Sequence, residues 1–132
     1  MPASPKSILI VEDDDTLRDI LKDNLAAEGY TVYEAPTGKR GLELALTRHP
    51  DLILLDILLP DESGLSILKK IRADKAHGSH IKIIMLTNLS DKKSVATAVE
   101  LDAHSFLVKS DWKIHDVISA IHNELNDWPE EA

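Results

Sequence analysis

Residues 51–60 read DLILLDILLP. Leu52 to Leu55 form an unbroken apolar run, Asp56 interrupts it, and three more apolar residues follow before Pro60. A strand with one face in water alternates apolar and polar residues; this one is apolar on both faces, the mark of a strand covered from both sides. A carboxylate set in such a run is costly unless something compensates its charge. Two other segments share the character, SILIVE at 7–12 and IKIIMLT at 81–87. TVYEA at 31–35 and SFLV at 105–108 read as further short strands.

Helical stripes lie between them. From Thr16 to about Glu28, Leu17, Ile20, Leu21 and Leu25 share one face, and Gly29 stops the helix. GKRGLELALTRH at 38–49 predicts a helix ended by Pro50, and SGLSILKKIRAD at 63–74 carries Leu65, Leu68 and Ile71 at helical spacing. A weaker helix is predicted from about Asp91, with Val95, Ala98 and Val99 on one face. The last helix has the cleanest stripe, Ile114, Val117, Ile118, Ile121 and Leu125. Strand and helix thus alternate five times. Parallel neighbours need crossover connections, so the pattern predicts an α/β fold, a doubly wound parallel sheet with helices on both faces and right-handed crossovers.

The chain of 132 residues has 43% apolar residues and is of a size for one domain with a real core. We expect a single domain over 1–132, its core spanning about 7–128. Fifteen basic against 23 acidic residues give a net charge of −8. That disfavours direct binding to nucleic acid or anionic lipid, because both need positive charge to meet phosphates. The apolar runs fall far short of the roughly 20 residues of a membrane span. MPASPKS lacks the apolar core of a signal peptide, so a cytoplasmic location is expected. With no Cys, disulfide and thiolate chemistry are excluded.

In open α/β sheets, ligands bind outside the carboxyl ends of the strands. Sorting the sequence by that rule, the first strand ends in Glu12, Asp13 and Asp14, the third in Asp56, the fourth in Thr87 and Asn88, and the fifth in Lys109. Several carboxylates, a hydroxyl and an ammonium are thereby brought to one edge. Neighbouring carboxylates repel, and a hard divalent cation such as Mg2+ removes the conflict through oxygen ligation. Cation, ammonium and hydroxyl together suit phosphoryl transfer, and a carboxylate can be the nucleophile. Each residue alone has a plainer reading. Asp14 or Asp15 suits the N-cap of the first helix, Lys109 an exposed lysine, and Thr87 an ordinary strand residue. His115 and His122, seven apart on the last helix, read as surface residues; Trp112 and Trp128 read as packing its ends.

With those residues in place, ILIVEDD, DLILLDILLPDESGLSIL, IIMLTN and FLVK resemble, in order and over about Ser7 to Trp128, the receiver domain of bacterial two-component response regulators. The resemblance implies a five-stranded flavodoxin-like sheet of order 2-1-3-4-5. It also implies a stand-alone phosphorylation switch that takes phosphoryl from a sensor histidine kinase or phosphotransfer protein. By position, Asp56 resembles the phosphoacceptor. Asp13, Asp56 and the carbonyl of Leu58 resemble the Mg2+ ligands, with Glu12 acting through water. Thr87 resembles the switch hydroxyl, Lys109 the phosphate-contacting lysine, and Phe106 the rotating aromatic. Output through a downstream protein target, on the face of the last two strand–helix units, is implied likewise.

Three positions depart from the family pattern: Ser110 stands where a proline usually follows the lysine, Asn88 where a small residue follows the threonine, and DAHSF replaces a Gly-containing turn. A trans Lys109–Ser110 bond is expected, since a cis bond before a non-proline residue costs about 2.5–4 kcal/mol. Three other functions fit these residues less well. A Mg2+-dependent phosphatase with an Asp nucleophile needs an acid two residues after the nucleophile, where this chain has Leu58. A pseudo-receiver that binds partners without taking phosphate would not need the full set of acceptor-site groups found here. A dinucleotide site would need a Gly-rich turn after the first strand, which is absent.

Overall fold

The computed structural model describes residues 5–76, 78–87, 105–108 and 113–125, and of 87 and 105–108 the backbone alone. Its elements run β1 (Ser7–Val11), α1 (Asp15–Ala27), β2 (Thr31–Ala35), α2 (Gly38–Arg48), β3 (Leu52–Asp56), α3 (Gly64–Ala73), β4 (Lys82–Thr87), β5 (Ser105–Val108) and a C-terminal helix (Ile114–Leu125). The five strands form one sheet in the order β2-β1-β3-β4-β5, and every neighbouring pair is parallel. Both the sheet class and the strand order agree with expectation. The helix expected from about Asp91 lies outside the described residues, as do Lys109, Ser110 and both Trp.

Strand periodicity explains the two-sided core. Odd positions of the central strands, Leu9, Val11, Ile53, Leu55, Ile83 and Met85, pack with Leu44 and Ala45 of α2 and Ile67, Leu68 and Ile71 of α3. Even positions, Ile8, Ile10, Leu52, Leu54, Ile84 and Leu86, pack with Leu21 and Leu25 of α1 and Val117, Ile121 and Leu125 of the C-terminal helix. Successive strand side chains point to opposite faces, so an unbroken apolar run supplies both layers at once. β3 is buried throughout, whereas the edge strand β2 is half-exposed.

Helix starts and stops follow local chemistry. The side chain of Asp14 accepts from the Leu17 N–H at 3.1 Å, that of Thr37 from Arg40 at 3.1 Å, and that of Ser63 from Leu65 at 3.2 Å, each capping the helix that follows. Gly29 ends α1 at a φ of 95°, in the left-handed region that glycine enters without steric cost. No helix among the described residues is long and apolar enough to cross a membrane.

One expectation is corrected. His115 is exposed, but His122 is buried, with 4% of its surface accessible. Its Nδ1 lies 2.8 Å from the Tyr30 hydroxyl and its Nε2 3.2 Å from Glu28 Oε1. His122 sits one helical turn beyond Ile118 and so extends the apolar stripe at its edge. The burial is supported by polar partners 92 and 94 residues away, which helical spacing could not reveal. Lys6 Nζ donates to the Leu125 carbonyl at 2.9 Å and ties down the end of the same helix.

Candidate functional site

The four carboxylates of residues 12–15 separate into two roles. Asp14 caps α1, and Asp15 pairs with Arg18 at 2.6 Å. Glu12 continues the ladder beyond β1, its N–H donating to the Ala35 carbonyl at 3.0 Å. Its side chain is fully buried, with Oε2 accepting from the Asp14 N–H at 3.2 Å. Asp13 is exposed beside it. Arg18 reaches back from α1 to donate to the Glu12 carbonyl at 2.8 Å, which holds this turn against the helix.

Asp56 closes β3 and is 2% exposed. Its neighbours pin it through the backbone. The Leu58 N–H donates to Asp56 Oδ1 at 3.0 Å, the Ile57 N–H to the Leu86 carbonyl at 3.0 Å, and the Gly64 N–H to the Ile57 carbonyl at 2.7 Å. The last bond closes the loop 57–63 upon itself at the start of α3. A side chain at Gly64 would overlap the Asp56 carbonyl, so the close seating of α3 on this peptide depends on glycine there. Leu58 is 56% exposed in that loop.

β1 and β3 are neighbours, yet the chain leaves β1 for β2 on one side and later returns to β3 on the other. That is the topological switch point, where the carboxyl ends of strands leave a crevice. Glu12, Asp13 and Asp56 meet there, with a carboxylate oxygen from each lying within 4.8 Å of the other two. Three carboxyl groups so close, two of them out of water, favour a cation that offsets their mutual repulsion. All the donors are hard oxygens, the set that suits Mg2+ or Ca2+ rather than a thiolate-seeking metal. The residues therefore fit a divalent ion.

Thr87 ends β4 on the far side of β3. Asp56 is paired with Leu86 in the ladder, so Thr87 stands one residue beyond it, and Val108 is its own partner on β5. Phe106 lies opposite Met85. Lys109, which follows Val108, lies outside the described residues, as do Asn88 and Leu89.

Two acidic residues of the loop 57–63, Asp61 and Glu62, have defined partners. Asp61 accepts from the Gly38 N–H through Oδ1 and from the Lys39 N–H through Oδ2, both at 2.8 Å. Those backbone bonds hold its carboxyl below the ordinary carboxylate range. Glu62 accepts from the Ser66 hydroxyl at 2.6 Å and pairs with Lys70 at 2.9 Å, and these bonds lower its pKa in the same sense.

An acidic triad at the switch point of a five-stranded parallel sheet defines an α/β domain whose residues could hold a cation beside a buried carboxylate. Residues 8–122 match the family described as the response regulator receiver domain, and the chain belongs to that family of two-component signalling domains. The "Probable transcriptional regulator ycf27" of Galdieria sulphuraria is 38% identical over 104 residues, 79% of this chain and 39% of that protein. The KDP operon transcriptional regulatory protein KdpE of Escherichia coli is 37% identical over 103 residues, 78% of this chain and 44% of its own length. The chain thus spans less than half of these relatives. Among solved structures, a CheY-like response regulator receiver domain protein from Methanospirillum hungatei superposes with a TM-score of 0.87 at 31% identity, covering 94% of this chain and 96% of that one.

Proposed function

We propose that this chain is a phosphorylation switch of the cytoplasm. In this reading Asp56 accepts a phosphoryl group from the phosphohistidine of a sensor histidine kinase or a phosphotransfer protein, and the result is read by a downstream protein. The observation that carries it is the meeting of Glu12, Asp13 and Asp56 within 4.8 Å at the switch point. Asp13, Asp56 and the Leu58 carbonyl would hold Mg2+, with Glu12 acting through water. When bound, the ion offsets the charge of acceptor and incoming phosphoryl together.

The remaining chemistry belongs to the chain. An Asp56 carboxylate oxygen attacks phosphorus as the P–N bond to the donor imidazole breaks, and the imidazole keeps the electron pair and takes up a proton. The Leu58 N–H holds Oδ1 and so fixes the rotation of the carboxylate. Thr87 and Lys109 would contact the transferred phosphoryl oxygens. Movement of the Thr87 loop toward them, coupled to Phe106, would carry the signal to the last two strand–helix units. The phosphatase alternative lacks its acid, since Leu58 occupies that place.

Intact mass after treatment with acetyl phosphate tests the assignment. We expect a single phosphoryl adduct that depends on Mg2+, is abolished in Asp56→Asn and is slowed in Asp13→Asn. An unchanged adduct in Asp56→Asn overturns it.

A further inference from the structure

We propose that Asp61 is a positioning residue for this site: by bonding the N-terminus of α2 it sets the loop 57–63, and with it the Leu58 carbonyl, at a fixed distance from the acidic pair after β1. This rests on the functional reading above.

The argument begins with how the loop is held. Its ends are joined by the Gly64 N–H to the Ile57 carbonyl at 2.7 Å, and the Leu58 N–H lies on Asp56 Oδ1 at 3.0 Å. Glu62 bonds forward into α3 through Ser66 and Lys70. Those ties orient the loop relative to β3 and α3. Asp61 is different because it crosses to another layer element: its two carboxylate oxygens take the N–H groups of Gly38 and Lys39, each at 2.8 Å. Two bonds from one planar group fix both position and orientation.

The helix it reaches is itself seated on β1. A Cβ at Gly41 would stand 2.7 Å from the Val11 side chain, and one at Gly38 would stand 2.9 Å from Ile67. A larger residue at either position would require the Val11 or the Ile67 side chain to shift, so the two glycines let α2 lie close to the end of β1 and to α3. Val11 is the residue before Glu12 and Asp13. α2 is thus a reference body shared by both halves of the site. On one side it is packed on the strand that ends in the acidic pair; on the other it is bonded to the loop that carries Leu58.

Asp61 and Thr37 both bond the first turn of α2, Asp61 at the Gly38 and Lys39 N–H groups and Thr37 at the Arg40 N–H. The Asp61 bonds also join the helix to the loop, whereas the Thr37 cap does not, so comparing the two substitutions separates positioning from helix stability. Thr37→Ala removes a cap from the same helix without touching the loop. Asp61→Ala removes the tie from loop to helix.

The test follows Mg2+ titration by backbone amide shifts in the full chain, with acetyl phosphate labelling alongside. We expect Asp61→Ala to weaken Mg2+ binding about tenfold, the scale on which supporting residues act on a metal site. Phosphorylation should recover toward the wild-type rate at saturating Mg2+. Asp61→Asn, which retains one acceptor oxygen, should fall between the two. Thr37→Ala should lower thermal stability and leave Mg2+ affinity unchanged. Wild-type affinity in Asp61→Ala, or in Asp61→Asn should the alanine variant fail to fold, overturns the proposal while the function stands. A comparable loss of affinity in Thr37→Ala also overturns it, since helix stability alone would then account for the effect. A wild-type chain that binds no Mg2+ overturns both this proposal and the reading it rests on.

Discussion

Gly64→Ala is a small substitution with a large expected effect. A Cβ there would lie 2.0 Å from the Asp56 carbonyl oxygen, 2.8 Å from its carbon and 2.9 Å from the Ile57 Cα. All three are backbone atoms at the end of a fully buried strand, so no rotamer change relieves the overlap. α3 must withdraw by about 1 Å before the nearest contact reaches even 3.0 Å. That movement stretches the 2.7 Å bond from the Gly64 N–H to the Ile57 carbonyl. Overpacking costs about 1–3 kcal/mol and the weakened bond about 1 kcal/mol, offset by about 0.4–1 kcal/mol from the reduced freedom of the unfolded chain. The net loss, about 1–3.5 kcal/mol, corresponds to a Tm lowered by roughly 3–18 °C in a chain of this length. Calorimetry and urea unfolding both read it, and the same displacement should slow phosphorylation of Asp56. A variant with wild-type Tm and wild-type urea midpoint would refute the reasoning, because it would mean that α3 does not rest on the Asp56 peptide.

Tyr30→Phe removes the hydroxyl 2.8 Å from His122 Nδ1 in a buried setting and should cost about 1–2 kcal/mol in urea unfolding; a double-mutant cycle with His122→Asn should show coupling, and additive losses would count against a direct bond. The lowered carboxyl pKa values of Asp61 and Glu62 place their stabilising contribution above the unfolded pKa, with loss as pH falls through the folded one. Asp61→Asn combined with Glu62→Gln should therefore flatten the acid limb of the stability profile below about pH 4, and an unaltered limb would contradict the linkage. Leu58, exposed in the loop beside Asp56, and Leu89, two after Thr87, offer no group to orient an attacking water, so the phosphoryl group should be long-lived. Leu58→Asn with Leu89→Glu should shorten its half-life, measured by mass spectrometry after transfer is stopped, and an unchanged half-life would show that these side chains do not set the rate.

The sheet is legible in the sequence because burial on both faces leaves short unbroken apolar runs bounded by turn and helix-start residues. Ile8 to Val11 and Leu52 to Leu55 are apolar at every position, and the structure divides each run by parity between two helical layers. Helix ends are legible where the chemistry is local, as at Asp14 and Gly29, where cap and stop lie within the segment they control. The burial of His122 is illegible for the complementary reason. Its polar partners Tyr30 and Glu28 come from the other end of the chain, and periodicity carries no information about them.

The same division runs through the site. Glu12, Asp13 and Asp56 could be brought together on paper because strand ends in a parallel sheet share an edge, so knowing the direction of two strands is enough to place their last residues side by side. Asp61 obeys no such rule. It lies in a loop whose path depends on the glycine at 64, and its partners, 22 and 23 residues earlier, are backbone N–H groups that any sequence offers. What singles it out is the closeness of α2 to β1, which itself depends on Gly41 meeting Val11. The groups that would do the chemistry are thus written in the strand pattern, while the distances between them are held by glycines and backbone bonds that leave almost no trace in composition. Substitutions at Gly41, Asp61 and Gly64 should therefore alter the site with every acidic residue still in place.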